Sequence, residues 1–416
     1  MKIVITGVTG MKSRGGDALA TTICQQLQAR FPEAEIHMFT PTPEFDATRL
    51  VKMGVIVDKN SLHHYHTQSL LSKGRMVAAS FLGRNAKGIQ ESKDLLRSAD
   101  LVVCTGGDIF SSDYGSFDHF LVPLREAIAG GAKVVQHAMS VGPFKTDAEV
   151  RQWMAVATRC LLITTRERRT YDYLTQTLKL PATQVQHAAD PAFLLVPPRA
   201  EVVKDMASFY GLKPGLSTIA FAPSHGVSMY SKTDYANYMR VWEGLVRHAA
   251  EKMGLQVLLI PHVQRDEVIE DDCIPCTELV RRCGFNPAIR MASGDLTGSE
   301  LKGLISTCDL VVAERMHAAI AGLSSGRPTA LVGYSIKAFG VAGDLFGAEQ
   351  SDGKHVIPVK DFLRDDGTAK KWMESRWADR ERTGELIRKN LPEVCARAHK
   401  SFDLIADLFK PGAKPA

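Results

Sequence analysis

The stretch Leu310-Val311-Val312-Ala313-Glu314-Arg315-Met316-His317-Ala318-Ala319-Ile320 runs from a short apolar strand directly into an Ala-rich helix. A buried strand feeding a helix is the repeating unit of a parallel sheet with helical crossovers. In such sheets ligands bind beyond the carboxyl ends of the strands, so the chemistry is expected at Glu314 to His317. If extended geometry persists through the junction, Arg315 and His317 point to the same side, because strand side chains alternate. A cation two residues from an imidazole, both at a helix N-terminus, makes an anion site that includes a proton donor or acceptor. A buried structural histidine is the competing account of His317, and the neighbouring Arg315 favours the functional one.

The same alternation extends in both directions. Strands are predicted at Ile3 to Thr6, Ile36 to Phe39, Leu101 to Thr105, Lys133 to His137 and Leu161 to Thr164, with helical patterns filling most gaps. The segment Ala192-Phe193-Leu194-Leu195-Val196-Pro197-Pro198 ends this series, its two prolines suiting a linker. A second series follows at Ile219 to Ala222, Val257 to Ile260, Ala288 to Met291, Leu310 to Ala313, Thr329 to Val332 and His355 to Pro358. Residues 1–197 and 198–379 therefore read as two Rossmann-like α/β domains, with a helix and frayed tail over 380–416. The 416-residue length agrees with two cores. The stretch from His63 to Lys87, with His63-His64-Tyr65-His66, has the least periodicity and reads as a surface insertion or an acceptor-facing loop.

Composition narrows the partners. The chain is 45% hydrophobic and 23% charged, and its formal charge of +5 is dispersed, which excludes the basic tracts of nucleic-acid binders. A weak basic excess suits a phosphorylated small molecule if a few cations converge in a cleft. The N-terminus reads straight into a strand without a signal-peptide pattern, and no apolar run approaches membrane-spanning length. Eight scattered cysteines form no compact disulfide framework, so a reducing cytoplasm is expected. Cys273-Ile274-Pro275-Cys276 with Cys283 offers only half of a zinc spacing, and no metal is expected.

The other strand ends supply further candidates. Gly7 to Asp17, with Gly15-Gly16-Asp17 at its end, matches neither a Walker loop nor a dinucleotide fingerprint, and its glycines serve either a ligand or a turn. Gly106-Gly107-Asp108 allows close backbone approach, with Asp108 either contacting sugar hydroxyls or capping a helix. Arg166 follows a strand and precedes a helical pattern, which suits carboxylate or phosphate binding. With Glu167, Arg168 and Arg169 beside it, an exposed ion-pair face is the alternative. Gly333-Tyr334-Ser335-Ile336-Lys337 adds a cation and two hydroxyls to the rim carrying Arg315 and His317, and the expected site is a cationic cleft between the domains.

Taken in order, Gly15-Gly16-Asp17, Gly106-Gly107-Asp108, Val141-Gly142-Pro143-Phe144, Thr165-Arg166-Glu167, Asp190-Pro191-Ala192-Phe193, Arg315-Met316-His317 and Tyr334 through Lys337 resemble the polysaccharide pyruvyl transferase family. The resemblance covers most of the chain. It implies a GT-B-like architecture whose two domains face a cleft, and phosphoenolpyruvate as donor without a further cofactor. It also implies an acceptor sugar in a polysaccharide precursor, often lipid-linked, which allows peripheral membrane association through the acceptor. By that resemblance His317 looks like the general acid or base, and Arg166 and Arg315 look like donor-binding residues, with Lys337 joining them. Arg14 stands where the family motif usually has Asn. A GT-B glycosyltransferase using a nucleotide sugar is the rival, with Glu314 the nearest carboxylate for a donor ribose. A non-catalytic sugar-binding relative is the other.

Overall fold

The computed structural model describes residues 1–62, 86–231, 233–264, 270–334, 336–347 and 353–410. The aperiodic stretch 63–87 lies outside them except for its last two residues, which open a helix (Ala86–Arg97), and so does the tail beyond 410.

The chain forms two parallel sheets. The first contains β1 (Lys2–Thr6), β2 (Glu35–Thr40), β3 (Ile56–Lys59), β4 (Leu101–Cys104), β5 (Lys133–Met139), β6 (Leu162–Thr165) and β7 (Val185–His187), in the order β3-β2-β1-β4-β5-β6-β7. The second contains β8 (Thr218–Ala222), β9 (Gln256–Leu259), β10 (Ile289–Met291), β11 (Leu310–Ala313), β12 (Thr329–Gly333) and β13 (Val356–Pro358), in the order β10-β9-β8-β11-β12-β13. In each, the order reverses beside the first strand, the doubly wound pattern that leaves a crevice at the strands' carboxyl ends. Every strand expected from the sequence forms, and two more, β3 and β7, complete the first sheet. The expected α/β class with two Rossmann-like domains is the observed one.

Burial explains the apolar runs. β4, β8, β9 and β11 are buried at every position, as parallel strands covered by helices on both faces must be. Phe110, Phe117 and Trp153 anchor one core of the first sheet, while Phe221, Tyr238, Trp242 and Phe362 anchor one core of the second.

The compact units are not two consecutive halves. One comprises Met1–Met11, Leu19–Pro191 and the chain from Arg397 onward, and the other Lys12–Ala18 and Ala192–Ala396. The sequence kept 12–18 with the first domain and set 380 onward apart as a helix and tail. In the structure 12–18 joins the second unit because its backbone pairs with residues 262–264, Ser13 bridging antiparallel to Val263. The last helix (Arg380–Asp407) is shared: Phe402 lies beside His137 of β5, with ring centroids 4.5 Å apart, inside the first unit.

Candidate functional site

In the second unit the decisive junction folds as strand, one extended residue, then helix. Glu314 leaves β11 toward the core, where it accepts hydrogen bonds from Ser224 N (2.6 Å), Tyr238 Oη (2.8 Å) and Trp242 Nε1 (3.2 Å). Burial pushes its carboxyl up to about 8 against the pull of those three donors. It is thus committed to the interior and is not placed to read a donor ribose.

Arg315 is still extended (φ −80°, ψ 121°) and caps the helix Met316–Ser324. Extended geometry stops there, so strand alternation does not place His317; the first turn of the helix does. Arg315 donates through Nε (2.9 Å) and Nη2 (2.8 Å) to Asp272, and its Nη2 also reaches Glu270 O. The Asp272 carboxylate is wholly buried, whereas 18% of the Arg315 side chain is exposed. Burial works against the guanidinium charge, but Asp272 outweighs it and raises the pKa above the usual arginine value. Arg315 Nη1 donates to nothing among the described residues. A fixed fork with one spare nitrogen is suited to a carboxylate or phosphate oxygen.

The imidazole of His317 lies against the backbone of residue 15. A Cβ on Gly15 would sit 2.4 Å from His317 Nδ1, so no other residue fits without moving the ring. Gly16 and Asp17 continue that first helical turn (Arg14–Arg30). Asp17 is buried and accepts from Gly298 N at 3.0 Å, at the start of the helix Gly298–Ile305, so its carboxylate fastens two helix ends. Tyr334 follows β12 half-buried and interacts electrostatically with Arg315. Lys337 is buried in the first turn of the helix Ile336–Phe346.

A second histidine, His262, belongs to this group. It is buried just beyond β9, and its carbonyl accepts from Arg14 N at 3.0 Å. Burial, and then His317, Arg315 and Arg14 around it, push its imidazole well below the usual range, so it is neutral at physiological pH. All three lie within electrostatic reach of its imidazole. Sequence reasoning missed His262 and Asp272; the only available signal was that Ile260-Pro261-His262 follows a strand.

In the first unit, Gly106, Gly107 and Asp108 follow β4, Ser140 follows β5, Arg166 follows β6 and Asp190 follows β7. Arg166 is buried, not part of an exposed ion-pair face: Nη1 donates to Asp190 at 2.8 Å and Nε to Ser140 Oγ at 2.8 Å. The exposed pair is Arg168 with Asp172. Gly107 has φ +72°, and a Cβ there would lie 2.6 Å from Arg166 Nη1, so this glycine is required twice over. Its carbonyl accepts from Ser140 N. Asp108 lies within electrostatic reach of the guanidinium. Arg166 Nη2 donates to no described residue, so both units present a strand-end arginine clamped by a fully buried aspartate with one nitrogen unspent.

Among the described residues no group of three or more His, Cys, Asp or Glu is placed to hold a metal ion, and no helix is long and apolar enough to cross a membrane.

Known structures share the fold. The chain is similar to UDP-GlcNAc 2-epimerase from Neisseria meningitidis (12% identity, TM-score 0.61, covering 99% of this chain and 100% of that one). It is also similar to a putative UDP-N-acetylglucosamine 2-epimerase from Listeria monocytogenes (10%, 0.62, 100% and 97%). A third similar structure is Anabaena Alr3699/HepE in complex with UDP and glucose (11%, 0.56, 98% and 98%). At such identities the likeness concerns the GT-B-like fold alone. The Amylovoran biosynthesis protein AmsJ of Erwinia amylovora is 22% identical over 368 residues, 83% of this chain and 86% of AmsJ. The sequence pattern of polysaccharide pyruvyl transferases matches residues 14–336, which span every site residue of both units named above except Lys337. The chain therefore belongs to the polysaccharide pyruvyl transferase family.

Proposed function

We propose that this transferase takes its pyruvyl group from phosphoenolpyruvate and places it as a ketal on two hydroxyls of a sugar in a polysaccharide or lipid-linked precursor, in the cytoplasm. The observation that carries this reading is Arg315, fixed by Asp272 with one nitrogen unspent, beside His317 at a strand end. Phosphoenolpyruvate offers two anionic groups and an enol methylene that must gain a proton. Arg315 Nη1 binds one anionic group, and Lys337 and Tyr334 complete that rim. Arg166, by the same design, is a substrate-binding arginine of the first unit, with Gly106, Gly107 and Asp108 shaping its surroundings.

His317, protonated, delivers its proton to C3, leaving an oxocarbenium-like C2 whose charge the neighbouring substrate oxygens share. One acceptor hydroxyl adds to C2 and its proton returns to His317. The C2–O bond to phosphate then breaks, and a second hydroxyl closes the ketal, its proton leaving with the phosphate. Arginine stabilises the charge that accumulates on phosphate. No step needs a metal or a second cofactor. The nucleotide-sugar alternative is weakened because Glu314 is already engaged by three donors.

Phosphate release from phosphoenolpyruvate, measured with a panel of glycan acceptors, tests the reading. His317→Ala is expected to lower kcat by about 10²- to 10⁴-fold. Release of nucleotide from a sugar donor, with phosphoenolpyruvate inert, would establish the glycosyltransferase instead. Unchanged glycan output from His317→Ala would mark a non-catalytic subunit.

A further inference from the structure

Arg14 carries a charge that the reaction above does not use. Its side chain is 1% exposed, and Nη2 donates to Gln264 Oε1 (2.5 Å) and Asp295 Oδ1 (3.0 Å). Gln264 in turn donates to Gly294 O. Through the two N–H bonds of Nη2, the guanidinium ties together the loops that follow β9 and β10. Its charge is spent inside the unit, so it is not disposed to read a substrate.

The backbone around it is equally fixed. Arg14 N donates to His262 O and Gln264 N to Lys12 O, while Ser13 bridges to Val263. Residues 12–17 form a strap stitched along His262 to Gln264 and fastened at its far end by Asp17 on Gly298. The next residue after Arg14 is Gly15, against which the His317 ring rests.

We propose that Arg14 is a positioning residue for His317: it locks the strap so that Gly15 forms the wall on which the imidazole rests. The inference builds on the acid–base reading of His317 given above. Releasing the strap lets the ring leave its reactive alignment, and misplacement by about 1 Å costs about 10²-fold in rate. The donor keeps its arginine and binds as before.

The experiment compares Arg14→Ala and Arg14→Lys with wild type in steady-state kinetics and in imidazole NMR, with His317→Asn identifying the His317 signals. Arg14→Ala is expected to lower kcat by about 10²-fold and leave KM for phosphoenolpyruvate within about threefold, the mark of an interaction lost in the transition state alone. Millimolar guanidinium ion restores part of the rate, Arg14→Lys falls between the two, and the His317 signals shift. A rise in KM with kcat intact makes Arg14 a ligand for substrate and overturns the proposal. So do unchanged His317 signals, or a loss of rate that only follows the folded fraction and is not rescued. If Arg14→Ala fails to fold, Gln264→Ala combined with Asp295→Ala removes both acceptors of Arg14 Nη2; His317 signals unmoved in it overturn the proposal equally. Should wild type release no phosphate from phosphoenolpyruvate, the functional reading fails by itself, and the NMR comparison still decides the role of Arg14.

Discussion

Single residues carry the sharpest consequences. Gly15→Ala places a methyl where the His317 ring sits, so kcat is expected to fall by about 10²-fold with an unchanged thermal midpoint, checked by kinetics and calorimetry on the same sample. Glu314 carries the clearest pH dependence. Its folded pKa of about 8 lies above the usual value of 4.5, so the native state holds a proton that the unfolded chain loses across that interval. Stability from this group is full below the lower value and declines as pH rises toward the upper one. Glu314→Gln is expected to flatten that decline, read as denaturation midpoints at about pH 5 and about pH 8.5. Arg315 and His317 were legible because they sit together at one junction, where local pattern suffices. His262 and Asp272 were not, since Asp272 meets Arg315 across 43 residues of chain and His262 comes within electrostatic reach of His317 only through the fold, with no more than a strand end to mark it.

Elements fix where those residues stand. The helix Gly298–Ile305 begins in a capping box, Thr297 and Glu300 each satisfying the other's backbone N–H, and it receives Asp17 as well. Thr297→Ala is expected to cost about 1 kcal/mol by denaturant titration. Asp272 also acts at this scale: besides Arg315 it accepts from His225 N and Val263 N, joining the segments after β8 and β9 to the one after β11. Asp272→Ala strands a largely covered arginine, 18% of whose side chain is exposed, and two N–H groups, and a loss of about 3 kcal/mol is expected in the same titration. The strands missed in the sequence show what pattern reading requires. β3 is an edge strand with no buried position, and β7 has three residues, Val185-Gln186-His187, only one of them buried; neither yields an alternation long enough to stand out. The ends of the strands that were seen moved by no more than two residues.

At the scale of the whole chain, two doubly wound sheets in tandem were readable from the alternation of apolar runs and helical spacing. The exchange of short segments between the units was not. An amphipathic helix such as Arg380–Asp407 declares that it buries a face, without declaring against which sheet. The structure answers with Ala398, Phe402 and Ile405, all fully buried, and with Ser401 at 2.8 Å from His137 Nε2. A chain ending at Ala396 is therefore expected to lose amide protection along β5 while keeping it along β11, as hydrogen exchange resolved by segment would show.

This arrangement also sets a timetable for synthesis. A polypeptide emerging from the ribosome has all of β1 to β7 in hand by residue 187, yet the helical segment that covers His137 arrives only more than two hundred residues later. The sheet made first is the one completed last. A nascent chain must keep one apolar surface waiting through the whole translation of the other unit, and that interval is where a holding chaperone has most to do.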